Sequence, residues 1–383
     1  MKPSLVVVVG AGLSGATAAW SLATQHSSRV LVLEARDRVG GRLYSSGGAG
    51  AVLDLGAAWT WPSHDVALGQ VCKAVGVATR PQFDDGSPVA ELAPGQPRRF
   101  PPSRTFSEER RLAGGAAALP ARLLEAAASA AGDSFELRTS CAVSRIALVD
   151  GGAAVEVTYR RVGEGDVGAE ARVLAGCVVV AAPPRLVAAQ VTFSPELPAP
   201  TARAMARSPT WMADTAKVAF VADAPFWRAA GYSGSASSYA GPLRQVWDNS
   251  QDLGGEGARP ALVGFAMGDD AAELARGGDA ARAVLRRARA QIDAMFPGAD
   301  EHVTDETFLA WGAEEWTRHE GAGMREPAPS FGHPALRSPD LLGGRLVLAG
   351  TETEDEHGHM EGAVRSGLRA AEHAGRQLAP TGA

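Results

Sequence analysis

The chain has 383 residues, 45% of them hydrophobic and 21% charged, with a formal net charge of −6. This composition excludes a disordered chain and leaves room for two or three domain-sized units. The acidic balance, with no basic stripe, excludes a general nucleic-acid binder, and three separated cysteines (Cys72, Cys141 and Cys177) make neither a disulfide framework nor a zinc knuckle, reading instead as small core residues.

In chain order, Leu5–Val9 is a short β-branched run with the character of a buried parallel strand. It runs straight into glycines, so the N-terminus leaves no room for a signal peptide. No apolar stretch approaches the ~18 residues of a membrane span, so the expectation is a cytoplasmic protein with no membrane partner. Residues 10–15 read as a turn, 16–23 as a helix and 29–33 as a second buried strand, which makes a βαβ opening. The Pro-rich stretch 80–111 cannot carry long helices. Residues 120–131 read as a helix with proline near its start. Strands at 134–139, 143–148 and 153–160 suggest an antiparallel meander, and 177–182 a buried strand ended by Pro183-Pro184. A second sheet is expected from 217–221, 243–247 and 261–266, followed by an amphipathic helix over 280–296. Residues 345–349 form a last buried strand and 362–378 a closing helix.

The chemistry starts at Gly10-x-Gly12-x-x-Gly15. Gly10 permits a tight turn, Gly12 lets the backbone approach a pyrophosphate, and Gly15 lets helix and strand pack closely. Free N–H groups and the positive dipole end of a helix N-terminus favour the phosphates. Glu34 ends the second strand 19 residues after Gly15, where an acid is expected to hold a ribose hydroxyl. Glu34-Ala35-Arg36-Asp37-Arg38-Val39-Gly40-Gly41-Arg42 follows, with glycines that let the chain pass an extended cofactor and an arginine suited to phosphate oxygens.

Together with Gly350-Thr351-Glu352-Thr353 and Gly358-His359-Met360-Glu361-Gly362-Ala363-Val364, these residues resemble the flavin amine oxidase family, which includes monoamine, polyamine and L-amino-acid oxidases. The matching stretches run from one end of the chain to the other. The resemblance implies an α/β fold: a Rossmann-like FAD-binding domain (parallel sheet with β-meander) plus a smaller α+β substrate domain. The FAD domain is expected from 1–79, 111–207 and 321–383, and the substrate domain from 80–110 and 208–320. It also implies FAD, and with no cysteine near the C-terminal motif the cofactor is expected to be non-covalent. Leu13, Ser14, Glu34, Ala35, Arg36, Gly41 and Arg42 would flank pyrophosphate and ribose. Gly56, Ala57, Ala58 and Trp59 would pass the isoalloxazine, and Val143 the adenine. Gly350, Thr351, Glu352, Gly358, His359, Met360, Glu361 and Ala363 would meet the ribityl chain and pyrimidine edge. The closing helix would aim its positive end at the ring.

Lys217 stands among small and apolar strand residues, where an ammonium is costly unless partnered. The residues alone leave it either buried or on an exposed strand face. The resemblance gives it the role of holding a water at flavin N5. The implied reaction is hydride transfer from an amine α-carbon to the flavin, with molecular oxygen as acceptor.

The family pattern breaks in three places. One of the two cage aromatics is replaced by His359, which reads as an aromatic surrogate, a proton relay, a hydrogen-bond partner or plain packing. The other falls near Gly321, with Trp316 the nearest aromatic to line the pocket. Where L-amino-acid oxidases carry an arginine for a carboxylate stands Trp59, so an amine is favoured over an amino acid, with Arg318 and Arg325 as rival cations. Trp59 and Trp61 can equally be packing residues. Residues 80–111 replace a long helical roof, which implies an open site for a bulky amine or one covered by a second subunit in a homodimer. The composition of Glu354, Glu356, His357 and His359 has no known ligand spacing, so no metal is expected; His319 and His357 read as loop residues. Flavin-dependent desaturation of a bulky apolar substrate, and a flavin-binding partner protein of little activity, are the alternative functions.

Overall fold

A computed structural model describes residues 5–47, 51–102, 108–163, 168, 170–250, 258–318, 331–355 and 358–379. His319, Gly321, Arg325, Glu356 and His357, all considered above, lie outside the described residues.

Five short strands, four of them almost wholly apolar, build one parallel sheet. Its spatial order is Phe135–Arg138, Arg29–Leu33, Leu5–Val9, Cys177–Val180 and Leu346–Leu348. The chain starts in the middle, builds outward on one side, then crosses to the other. This reversal opens a crevice at the carboxyl ends of Leu5–Val9 and Cys177–Val180. Helices Leu13–Gln25, Ala118–Ala131 and Met360–Leu378 cover one face with a core of Val6, Val8, Leu22, Leu119, Leu123 and Val364. The other face packs on a four-stranded sheet through Val7, Leu31, Ile146, Val157 and Val178.

Three elements differ from expectation. Phe135–Arg138 joins the parallel sheet beside Arg29–Leu33 instead of opening the meander. It leaves the helix Ala118–Ala131 and returns to the sheet as a helix crossover normally does. The antiparallel meander is therefore Cys141–Val149, Ala154–Arg161 and Ala171–Ala175. The first helix begins at Leu13, so Gly15 is helical rather than part of the turn, and the last helix begins at Met360.

A seven-stranded sheet is the second unit, in the order Val303–Ala310, Thr215–Ala222, Ala261–Met267, Leu243–Asp248, Tyr232–Ser238, Ser87–Glu91 and Pro97–Arg99. The Pro-rich stretch thus supplies a hairpin at the sheet's edge. Helices Asp269–Arg276 and Gly278–Met295 cover one face, onto which Ala216, Val218 and Phe220 project. Period two sends Ala219 and Val221 to the opposite face, against Leu53, Leu55 and Trp247. Lys217 shares that face. Every residue of Thr215–Ala222 is buried, so neither side of this strand is a solvent face.

Candidate active site

The two units meet along a continuous cleft. One end is lined by Gly10, Gly12, Leu13, Ser14, Glu34, Ala35, Arg36, Gly41 and Val143, the other by Gly56, Ala57, Ala58, Trp59, Lys217, Phe265 and His359. Between them lie Arg42, Gly350, Thr351, Glu352, Gly358, Met360 and Ala363. One cleft therefore gathers almost all of the expected residues.

Glycine makes the first end possible. A Cβ on Gly15 would sit 1.9 Å from the Gly10 carbonyl oxygen, and one on Gly10, at φ +97°, would sit 2.8 Å from that of Ala181. The helix start carries no side-chain cap at Gly12, so its first N–H groups are left for a ligand. Glu34, 4% exposed, accepts from the backbone N–H of Ala11 at 2.7 Å and of Arg36 at 2.9 Å. A carboxylate has about four lone-pair directions, so two remain for ribose hydroxyls. Val143 sits where the strand Cys141–Val149 shifts register against its neighbour.

At the other end Lys217 is 3% exposed. Its Nζ donates to the Asp54 carbonyl at 3.1 Å and to that of Gly56. The rings of Trp59, Trp247 and Phe265 surround it at 5.5, 4.8 and 4.9 Å. Burial pushes its pKa down to about 7, partly opposed by Asp54 and reinforced by Arg111. Trp59 donates from Nε1 to Gln82 at 3.0 Å.

His359 is exposed and lies between two tryptophans: Trp61 stacks on it at 5.2 Å, and Trp211 meets it edge-on at 6.3 Å. Gly358, at φ +82°, makes this possible, since a Cβ there would lie 2.5 Å from the Trp211 ring. Trp211 and Phe265 escaped the sequence reading. Trp211 stands in an irregular loop with no periodic pattern, and Phe265 looks like an ordinary strand residue.

Two expectations need correction, and two residues expected at the cleft are found there with partners the sequence does not show. Glu361 does not line the cleft; its carboxylate accepts from the N–H groups of Ala67 at 3.1 Å and Leu68 at 2.8 Å, capping the helix Val66–Ala74. Glu361→Ala should therefore cost about 1–3 kcal/mol in urea unfolding and leave flavin affinity close to normal. The bidentate fork of Arg42, expected on phosphate, grips the buried Glu352 at 2.6 and 3.0 Å, joining residues 310 apart. Arg36 lines the cleft, and its side chain binds Glu314 at 3.1 Å and Thr317 at 2.6 Å. Trp316 lines the cleft as expected, in this segment anchored by Arg36; the rings against His359 are Trp61 and Trp211.

An extended dinucleotide carrying a flat ring fits this donor set. The narrow glycine turn, the uncapped helix start and the strand-end acid suit the nucleotide, and the apolar aromatic chamber with its lysine suits the ring. Among the described residues, no helix is long and apolar enough to cross a membrane.

Comparison with known proteins gives the same picture. The family model described as flavin containing amine oxidoreductase matches residues 99–374, and the NAD(P)-binding Rossmann-like domain matches residues 8–74. The chain is 27% identical to "Probable flavin-containing monoamine oxidase A" of Dictyostelium discoideum, covering 95% of this chain and 96% of that one. That alignment runs over 456 positions, so the relative carries segments this chain lacks. Among solved structures, cyclohexylamine oxidase from Brevibacterium oxydans superposes with TM-score 0.78 at 22% identity, over 99% of this chain and 100% of that one. A wild-type putrescine oxidase bound to putrescine gives 0.76 at 22%, over 96% and 98%.

Proposed function

We propose, from the premise that this chain belongs to the flavin-containing amine oxidoreductases, that it holds FAD non-covalently along the cleft and oxidises an amine with a bulky apolar body. The observation that carries this reading is the continuity of the cleft, from the glycine turn to an apolar chamber containing one buried lysine.

In this reading residues 1–79, 111–207 and 321–383 hold the cofactor, and 80–110 and 208–320 form the substrate side. Gly10, Gly12, Leu13 and Ser14 receive the pyrophosphate, Glu34 the ribose and Val143 the adenine. Gly56 to Trp59 and the start of the helix Met360–Leu378 border the ring. Bound there, FAD supplies a hydride acceptor for the amine's α C–H, with molecular oxygen as the final oxidant.

The protein's own contribution is orientation, dryness and proton handling. Loss of hydration in the apolar chamber, opposed in part by the attraction of its ring faces for a cation, disfavours an ammonium and so favours the neutral, reactive amine. Lys217 holds a water at the ring and exchanges its proton. His359, exposed between two indoles, borders the mouth through which a bulky amine enters. The two arginines lining the cleft, Arg36 and Arg42, are paired with Glu314 and Glu352, so among the described residues neither is free to receive a substrate carboxylate. This favours an amine over an amino acid.

The test is an anaerobic panel of amines read by bleaching of the flavin absorbance, with peroxide assayed on re-aeration. Bulky apolar monoamines should bleach it fastest. Bleaching by an apolar substrate without nitrogen, and by no amine, would replace this reading with desaturation.

A further inference from the structure

Only three of the 37 basic residues are lysines: Lys2, Lys73 and Lys217. Arginine keeps its proton throughout the physiological range, whereas a buried lysine can release one. Among the described residues, the other buried basic side chains, Arg111, Arg185 and Arg345, are all arginines. Among the described residues, Lys217 is thus the buried cation that can become neutral.

What holds it is a second, equally buried group. Lys217 Nζ reaches Asp54 only through the backbone carbonyl. The Asp54 carboxylate is committed elsewhere: it accepts from Arg111 Nη2, from Ser45 Oγ at 2.6 Å and from the Ala116 N–H at 3.0 Å. Arg111 also donates to Asn249 Oδ1 at 2.6 Å, and Asn249 donates to the Val52 carbonyl at 2.8 Å. Asp54, Arg111 and Asn249 are at most 1% exposed. The segment 52–56, whose carbonyls receive the lysine, is therefore fixed through Arg111. Beside Lys217 in the sheet stand Phe265 and Leu309, both uncharged. The carboxylate of Asp248, on the strand next to Phe265, is taken by Trp227, Arg228 and Ser250. Among the described residues, the charges that act on Lys217 are Asp54 and Arg111.

We propose that Asp54 and Arg111 are a pair of positioning residues for Lys217: they hold the two carbonyls that receive its Nζ and present it with opposed charges, so that it exchanges a proton without leaving the core. The inference rests on the reading of Lys217 as the proton-exchanging group of the cleft. The pair comes from Leu53–Asp54 and from Arg110–Leu112, at the end of the Pro-rich stretch.

Three lysines make the test direct. In FAD-loaded protein carrying 13Cε-labelled lysine, Lys217 is the signal missing from Lys217→Met. Asp54→Asn leaves Arg111 unopposed, and the Lys217 titration midpoint should fall by on the order of one pH unit. Arg111→Met leaves the carboxylate unopposed, and the midpoint should rise by a similar amount. The double variant should return towards the wild type. The pH profile of flavin reduction or reoxidation, whichever depends on Lys217, should follow the same displacements. A purely structural pair would give unmoved midpoints, or shifts of one sign in both variants, and either result overturns the proposal. If Arg111→Met does not fold, the downward shift in Asp54→Asn decides alone. Shifted midpoints with unmoved rate profiles would uphold the pair's action on the lysine and remove Lys217 from the flavin chemistry.

Discussion

Gly15→Val should give a protein that is purified without flavin and unfolds well below the wild-type temperature. The Cβ position at Gly15 lies 1.9 Å from the Gly10 oxygen and 3.3 Å from the Ala181 Cβ. No rotamer relieves a clash with backbone, so the helix Leu13–Gln25 must move off the strand Leu5–Val9. That movement costs at least the roughly 1–3 kcal/mol of an overpacked core. It also spreads the turn whose N–H groups are to meet the pyrophosphate. Gly69→Ala is the control. Nothing lies within 4 Å of a Cβ there, on the exposed face of the helix Val66–Ala74, and alanine should stabilise that helix by about 0.5–1 kcal/mol. The ratio of flavin to protein absorbance and a melting curve decide the matter; a Gly15→Val protein with full flavin would show that the turn does not hold the cofactor.

Lys217→Met should slow flavin reduction or reoxidation by on the order of 100-fold, the scale of a lost proton-transfer group. It should also change how stability depends on pH. Lys217 has an ordinary pKa of 10.5, lowered to about 7 by burial. Between those values the unfolded chain binds the proton that the folded one rejects, so stability rises with pH across that window. Read downward, the penalty grows as pH falls from about 10.5 to about 7 and is constant below. The wild type should therefore lose a few kcal/mol relative to Lys217→Met over this range. The absolute offset is smaller than burial alone suggests, since methionine leaves the Asp54 and Gly56 carbonyls without their donor. Urea unfolding of both proteins from pH 6 to pH 10 measures the difference. A difference that does not vary with pH, together with unchanged flavin kinetics, would sink the assignment.

The nucleotide end was the most legible part of the sequence, because its chemistry is local. Gly10, Gly12, Gly15 and Glu34 lie within one βαβ unit, and their spacing alone predicts a turn, a helix start and an acid at a strand end. Lys217 was legible for another reason: a cation in an apolar strand is expensive, and the expense marks the residue. Arg42 and Glu361 were misread because residue type does not reveal a distant partner. Their partners lie 310 and 293 residues away, and only folding shows that Arg42 grips Glu352 and that Glu361 caps the helix Val66–Ala74. Trp211, Asp54 and Arg111 share that difficulty. The strand Phe135–Arg138 has no sequence feature that distinguishes a meander strand from a sheet edge, and the helix before it settles the matter.

The seven-stranded sheet has a consequence for self-association. One rim is the three-residue strand Pro97–Arg99, where proline offers no N–H and two exposed guanidinium groups follow; the other carries exposed Asp305 and Glu306. Joining two copies rim to matching rim about a twofold axis would set like charges opposite each other. Head-to-tail stacking would have to propagate through a proline on a strand too short to hold a ribbon. Concentrated solutions of this protein should therefore resist fibril growth from native sheet rims, and any stable pairing of subunits must bury a different surface.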